Sequence, residues 1–171
     1  MNTHKYILLA FSLLLGQSAF AHSQAFKPEF VDTLLAPYLR IQNSLAGDQL
    51  EHSKAAAAEM LTALNKGPQS QDTQATMIAL KKSAAQLNQA QDFKAARAAF
   101  SQLSKKLISL LEQVGPAYTQ EVYIAHCPMA LNAQGGTWLQ ESTTVENPYY
   151  GSMMLRCGTI NQTPIHTKPG H

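Results

Sequence analysis

The sequence lacks a surplus of charge of either sign, since 13 basic residues stand against 11 acidic ones. Proteins that bind nucleic acid or an anionic membrane usually carry a clear basic surplus. The sequence also contains no G-x-S-x-G, no H-E-x-x-H and no glycine-rich phosphate loop, which mark several families of catalytic and nucleotide-binding sites. We therefore expect neither a nucleic-acid partner nor an enzyme.

Long apolar runs are also scarce, and the one clear candidate lies at the N-terminus. Lys5 precedes an apolar core at residues 6–15, and Ala19 and Ala21 flank Phe20 in a small-x-small pattern. This core is too short to span a bilayer and is typical of a secretory signal peptide, residues 1–21. We expect cleavage after Ala21, export to a bacterial periplasm and one mature domain without membrane insertion.

Residues 22–116 have the periodicity and the punctuation of helices. Gly67–Pro68 and Gly115–Pro116 are typical of helix ends, Asp92 of an N-cap, and Asp48 of a capping box with the glutamate three residues later. The strongest apolar stripe contains Phe93, Ala96, Phe100, Leu103, Leu107, Leu110 and Val114. Weaker stripes before it predict four helices, and short connections favour an antiparallel four-helix bundle over an open helical array.

The tail, residues 117–160, differs in character and is expected to pack on the bundle as part of the same domain. It combines strand-like residues 122–124 with a glycine pair and several aromatic residues. Its Asn-Pro pair resembles a helix start and predicts a short helix over residues 148–157. The polar segment 161–171 is predicted to be disordered. The predicted fold class is all-α, with an irregular, strand-containing tail and one short extra helix.

Cysteine occurs only twice, as Cys127 and Cys157, and both cysteines lie in the tail. In an exported protein such a pair usually forms a disulfide, which would stabilise the fold by about 3–4 kcal/mol on the chain-entropy model. A disulfide requires the two Cα atoms to lie within about 7 Å, and a shared metal ion also requires the sulfurs to be close. We therefore expect the tail to bring the two cysteines together.

The neighbours of the cysteines favour a second interpretation, a soft-metal site. Thiolate and thioether sulfurs are soft donors that select Cu(I) and similar ions such as Ag(I) over hard cations. Zinc is disfavoured because only three of its usual donors lie in this part of the sequence. The candidate ligands are Cys127, Met129, Met153, Met154, Cys157 and, as an imidazole donor, His126.

Four blocks of the tail carry a resemblance to a known family: CPMA at 127–130, WLQ at 138–140, NPYYG at 147–151 and MLRCG at 154–158. Together they resemble the signature of a bacterial periplasmic domain family of unknown function. A similar domain is attached to adaptor subunits of copper/silver and other heavy-metal efflux pumps. The resemblance implies association with a soft metal and with such an adaptor. On this resemblance, the candidate ligands at signature positions are Cys127, Met129, Met154 and Cys157.

Two functional hypotheses from different classes follow. The first is a periplasmic soft-metal binder that buffers copper or silver or passes it to an efflux system. The second is a structural or interaction module without a metal, whose tail is stapled by a disulfide between Cys127 and Cys157.

Overall fold

A computed structural model describes residues 25–114, 121–161 and 163–165. Four helices come first: α1 (Pro28–Ala46), α2 (Leu50–Asn65), α3 (Gln71–Asn88) and α4 (Phe93–Val114). Three short strands follow: β1 (Tyr123–Cys127), β2 (Gly136–Gln140) and β3 (Thr159–Ile160). None of the helices in these ranges has both the length and the apolar content needed to cross a bilayer. The predicted signal peptide and its cleavage site lie outside the described residues.

The four predicted helices are confirmed, and local chemistry explains several of their ends. α1 begins with Pro28, where the missing N–H would have had no helical partner. The Asp92 carboxylate caps α4 by accepting a 2.7 Å hydrogen bond from the backbone N–H of Ala95. The predicted capping box is wrong, because Gln49, not Asp48, stands at the N-cap of α2 and makes no side-chain cap bond.

The four helices share one hydrophobic core, and the apolar stripe of α4 lies in it. Phe100, Leu103 and Leu107 on this stripe are fully buried, as its spacing predicts. Each helix contacts the next one along the chain, and α1 also contacts α4. A mainly helical fold with four long helices is therefore confirmed, while the antiparallel bundle stays a prediction.

The strands of the tail form one antiparallel sheet in the order β2–β1–β3. In the pairing of β1 with β2, Ala125 lies opposite Trp138 and Cys127 opposite Gly136. In the pairing of β1 with β3, His126 lies opposite Thr159. The predicted strand-containing tail is thus confirmed in coarse form, as a small sheet of three strands.

Aromatic side chains join this sheet to the helices. β2 contacts both α1 and α4, and Trp138 of β2 is fully buried. The Tyr149 ring lies 5.8 Å from the Trp138 ring and 5.8 Å from that of Phe100, which stacks on Tyr38 at 5.2 Å. Such pairs add about 0.5–1.5 kcal/mol each beyond the burial of their surface. Trp138 and Tyr149 therefore belong to the hydrophobic core that the sheet shares with the helices.

The short helix predicted over residues 148–157 is wrong, because only one 3₁₀ turn, Gly151–Met153, forms there. Asn147 does behave as a cap, and its side-chain oxygen accepts a 2.8 Å bond from the backbone N–H two residues ahead. Gly151, however, has a φ of +61°, which a right-handed helix does not tolerate. A Cβ at this position would lie 1.9 Å from a carboxylate oxygen of Asp48. A distant contact therefore overrides the local helix signal.

The chain continues beside β1 after β3 ends. The backbone N–H of Asn161 donates a 2.9 Å hydrogen bond to the carbonyl of Ile124, and that of Ile165 a 2.8 Å bond to the carbonyl of Val122. Ordered contacts with the sheet therefore extend into the segment 161–171 that was predicted to be disordered. Residues 162 and 166–171 of that segment lie outside the described residues.

Candidate functional site

Cys127 is the last residue of β1, and the alternation of the strand decides where its side chain lies. Successive side chains of a strand point to opposite faces. Tyr123, Ala125 and Cys127 are buried, whereas His126 is exposed. The Cys127 thiol therefore faces the core, with none of its surface accessible to solvent.

A closed loop, residues 147–157, brings Cys157 back to β1. The loop is tied at its base by the fully buried side chain of Asn147, whose amide donates a 2.7 Å hydrogen bond to the carbonyl of Cys157. The backbone N–H of Asn147 also donates a 2.8 Å bond to the carbonyl of Leu155. The same side chain can also cap the following turn, because its amide nitrogen donates to Cys157 while its amide oxygen accepts the bond from the N–H of Tyr149. Asn147 thus holds Cys157 close to the start of the loop.

Gly158 allows the loop to approach β1 closely. It has a φ of +127°, and a Cβ there would lie 2.6 Å from the carbonyl oxygen of His126 and 3.3 Å from the Cβ of Cys127. Only glycine fits this contact without displacing the strand. A glycine directly after Cys157 is therefore sterically required for Cys157 to lie beside Cys127.

The two cysteine sulfurs lie 3.0 Å apart, and both cysteines are free thiols. The expected convergence of the cysteines is therefore present in the structure. The sulfurs are close enough for one thiol to donate a hydrogen bond to the other, and they lie about 1 Å beyond disulfide bond length. The hydrogen bond with Cys127 raises the pKa of the Cys157 thiol, and desolvation and repulsion between the two charges raise it further. The Cys157 thiol therefore resists losing its proton.

The candidate methionines are far more exposed than Cys127. Met153 has 76% of its surface exposed and Met129 has 48%, while Met154 is partly buried. Because the predicted helix is absent, Met153 and Met154 do not lie one helical turn from Cys157. The backbone carbonyl of Met154 instead accepts a 3.0 Å bond from the N–H of Cys157.

His126 lies on the opposite face of the sheet from the Cys127 side chain. Its Nδ1 is 3.0 Å from the hydroxyl of Thr137 across the β1–β2 pair, and its ring lies over Gly135. The structure therefore does not bring the imidazole to the cysteine pair. Throughout the described ranges, no group of three or more His, Cys, Asp or Glu side chains is placed to hold a metal ion.

A left-handed turn, Ala130–Ala133, follows Cys127 closely along the chain. Leu131, Asn132 and Ala133 have φ values of +56°, +58° and +63°. Each such residue costs roughly 1–2 kcal/mol when it is not glycine, and strained backbone of this kind is concentrated at functional sites. The hydroxyl of Tyr150 donates a 2.6 Å bond to the carbonyl of Met129 at the entrance of the turn. The loop that carries Cys157 therefore also holds this turn.

Asp48, between α1 and α2, anchors the outer end of the loop. Its carboxylate accepts a 2.8 Å bond from the backbone N–H of Ser152 and a second bond from the Ser152 hydroxyl. It also accepts a 2.7 Å bond from the guanidinium of Arg97 on α4. Arg97 donates a further 2.9 Å bond to the carbonyl of Pro148. We call Asp48, Arg97 and Ser152 the clasp, since they fasten the loop to the helices.

The hydrogen bonds of the clasp predict that the free energy of unfolding falls in acid. The Ser152 hydroxyl, followed by the Ser152 N–H and Arg97, lowers the pKa of Asp48 against the opposing effect of partial burial. A carboxyl whose pKa is lower in the folded chain stabilises the fold above its unfolded pKa of about 3.9, and this contribution is lost as the pH falls through the folded value. Asp48→Asn should therefore cost about 1 kcal/mol at pH 7, because solvent partly screens a carboxylate whose side chain is 33% exposed. The difference from wild type should shrink as the pH falls below about 4.

Urea unfolding followed by circular dichroism between pH 7 and pH 3 measures this difference. Glu59→Gln is the matched control, because Glu59 also pairs with an arginine, Arg40, but both side chains are more than half exposed. An exposed pair contributes less than about 1 kcal/mol. A cost of Asp48→Asn that stays constant over the whole pH range would contradict the prediction.

Sequence reasoning missed three residues that build the site: Asp48, Asn147 as the base of the loop, and Gly158. Asn147 carried a local signal, since its Asn-Pro pair resembles a helix start, but the signal was attributed to a helix. Gly158 stood out as the last residue of the MLRCG block. Asp48 carried only a capping-box signal, which predicted the wrong role, and its partner Ser152 lies 104 residues away in the sequence.

Comparison with known proteins identifies a family for the helical part of the chain. Residues 34–119, just over half of the sequence, match the family described as "Protein of unknown function (DUF3347)". The four sequence blocks of the tail lie outside the matched residues. No curated protein and no solved structure matches the chain. The chain therefore belongs to the DUF3347 family of proteins of unknown function.

Proposed function

We propose that this protein binds a soft metal ion, Cu(I) or Ag(I), and buffers it or passes it to a metal-efflux system. The observation that carries the proposal is the 3.0 Å approach of the Cys127 and Cys157 sulfurs. Two thiolates this close together are strong soft donors for a single metal ion. Cys127 is buried and Cys157 is partly exposed, so an ion can reach the pair from one side.

Metal binding requires a small movement of the pair. Two metal–sulfur bonds of about 2.3 Å cannot enclose a tetrahedral or wider angle while the sulfurs stay 3.0 Å apart. Cys157 lies on a loop and Cys127 on the central strand, so Cys157 is the sulfur that moves. Met129, Met153 and Met154 are neighbours in the chain that can complete the coordination shell, and a thioether cannot be lost to a disulfide.

The location, the partner and the helix arrangement belong to the same proposal. The N-terminal sequence favours secretion into a bacterial periplasm, with the signal peptide removed after Ala21. The resemblance of the tail favours an adaptor subunit of a heavy-metal efflux pump as the recipient of the metal. For the helices we propose the antiparallel four-helix bundle, which the contact between α1 and α4 supports.

A structural disulfide is the second candidate, and the same distance favours it. The sulfurs need to approach by only about 1 Å to form the bond. In this case the tail would be a stapled interaction module, and the methionines would serve as surface or packing residues.

Competition titration of the reduced protein against a Cu(I) chelator separates the two candidates. Cu(I) and Ag(I) should bind several orders of magnitude more tightly than Zn(II) or Ni(II), because the donors are sulfur. Binding should tighten as the pH rises, since the thiols release protons to bind a metal and the pKa of Cys157 is raised. Oxidised protein should lose most of this affinity. Equal affinities of the two forms would contradict the metal proposal and leave the disulfide as the better account.

A further inference from the structure

We propose that the clasp of Asp48, Arg97 and Ser152 is a positioning device that holds Cys157 against Cys127. The proposal concerns the same cysteine pair as the proposed function and adds the element that controls its geometry.

The loop 147–157 is fastened at its base, at its outer end and, through the hydroxyls of Tyr149 and Tyr150, to the carbonyls of Thr137 and Met129. At its base, Asn147 bonds the carbonyl of Cys157 at 2.7 Å and closes the loop on itself. At its outer end, Asp48 bonds Ser152, and next to its base Arg97 bonds the carbonyl of Pro148. The first attachment is internal to the loop. Among these attachments only the clasp ties the loop to the helices by hydrogen bonds, and it therefore fixes the outer end of the loop relative to them.

The glycine at the tip of the loop shows how closely this contact is fitted. A Cβ on Gly151 would lie 1.9 Å from Oδ1 of Asp48 and 2.6 Å from Nη2 of Arg97. The carboxylate and the guanidinium therefore occupy the space that a side chain would take. Asp48 itself has a φ of +54°, a conformation that aspartate and asparagine adopt more easily than most residues. The left-handed backbone conformations of Gly151 and Asp48 thus both allow the loop and the carboxylate to approach this closely.

Arg97 is held in place independently of the loop. It lies 15% exposed, its guanidinium is over the ring of Phe93 at 4.7 Å, and it also bonds the carbonyl of Leu45 at 3.4 Å. Asp48 is thus fixed from the helix side, and the two bonds to Ser152 transmit that position to the loop. Opening of the clasp would free the outer end of the loop from the helices and widen the range of positions that Cys157 can take beside β1.

The dithiol–disulfide equilibrium of the folded protein with glutathione measures this positioning. Glutathione disulfide takes two electrons from the pair, the two thiol protons pass to two glutathione thiols, and one sulfur–sulfur bond forms between Cys127 and Cys157. The equilibrium constant reports the effective concentration of one cysteine at the other. A substitution that only lowers global stability leaves this constant unchanged while the protein stays folded.

Asp48→Asn keeps the size and the left-handed backbone but removes the charge, and it should lower the equilibrium constant by about tenfold. Alkylation of Cys157 by iodoacetamide should become faster to a similar extent. Ser152→Ala removes one of the two bonds at an exposed position and should give about a threefold effect in the same direction. Glu59→Gln, the exposed ion-pair variant away from the loop, should change neither quantity.

Folded Asp48→Asn and Ser152→Ala proteins with the wild-type glutathione equilibrium would overturn the proposal. If Asp48→Asn does not fold, Ser152→Ala alone decides the outcome. Neither measurement involves a metal. A protein that binds no Cu(I) would therefore refute the proposed function but not the positioning role of the clasp. Unchanged glutathione equilibria in the variants would refute the positioning role but not metal binding.

Discussion

The double variant Cys127→Ser, Cys157→Ser is expected to lose more than about 100-fold in Cu(I) affinity, since changes in outer-shell partners alone typically cost about 10–100-fold. Serine keeps the approximate size of cysteine and replaces a soft sulfur by a hard oxygen. The loss should therefore come from the donor atoms rather than from the fold. Competition against a Cu(I) chelator under strict reduction measures the affinity, and circular dichroism checks that the variant is folded.

Substitutions of the other candidate ligands define the rest of the coordination shell. Met129→Leu and Met154→Leu should weaken binding modestly and leave stability nearly unchanged, because leucine is close to methionine in volume. His126→Ala should have the smallest effect, since His126 lies on the other face of β1 and contacts Thr137. A double-cysteine variant that binds Cu(I) as well as wild type would contradict the proposed site. A large loss in His126→Ala would instead show that the sheet rearranges when metal binds.

Leu103→Asp is expected to unfold the protein. Leu103 lies in the middle of α4 and has no exposed surface. Truncation of a buried leucine costs about 2–5 kcal/mol, and a buried carboxyl without a partner adds a desolvation cost to this loss. Typical domains have only about 5–15 kcal/mol of stability. Loss of the helical circular dichroism signal at 25 °C, or a large fall in the urea midpoint, would confirm the expectation.

Ile78→Asp is the matched control for this change. It introduces the same carboxylate into a neighbouring helix, α3, at a position where the side chain is 59% exposed. Surface substitutions of this kind usually change stability by less than about 0.5 kcal/mol. If Leu103→Asp is as stable as the parent, the α4 stripe is not the core of the fold.

The local signals in the sequence predicted the helices well and the tail poorly. The α4 stripe and the Asp92 cap depend on residues three or four positions apart, and both are present as expected. The helix predicted over residues 148–157 had equally local signals, a cap and a proline. It does not form, because Gly151 is held in a left-handed conformation against Asp48. The local preference for helix contributes little free energy in such a short segment, so a distant contact decides its conformation.

The candidate site shows the same division. The sequence indicated which residues are candidate ligands, because only two cysteines exist and methionines lie near both. It did not indicate that Met153 would be 76% exposed, or that His126 would turn away from Cys127. The face of each side chain follows from the register of β1, and β1 takes its register from pairing with two strands that come later in the chain.

The sequence by itself therefore determined the four helices and their buried faces, because periodicity and capping act over a few residues. Tertiary structure alone decided that Cys157 would lie 3.0 Å from Cys127. That distance depends on the close approach that Gly158 permits, on the loop closed by Asn147 and on the bond from Ser152 to Asp48 across 104 residues. Contacts between residues so far apart form only when the helices and the sheet have packed, since nothing in the sequence near either residue specifies its partner.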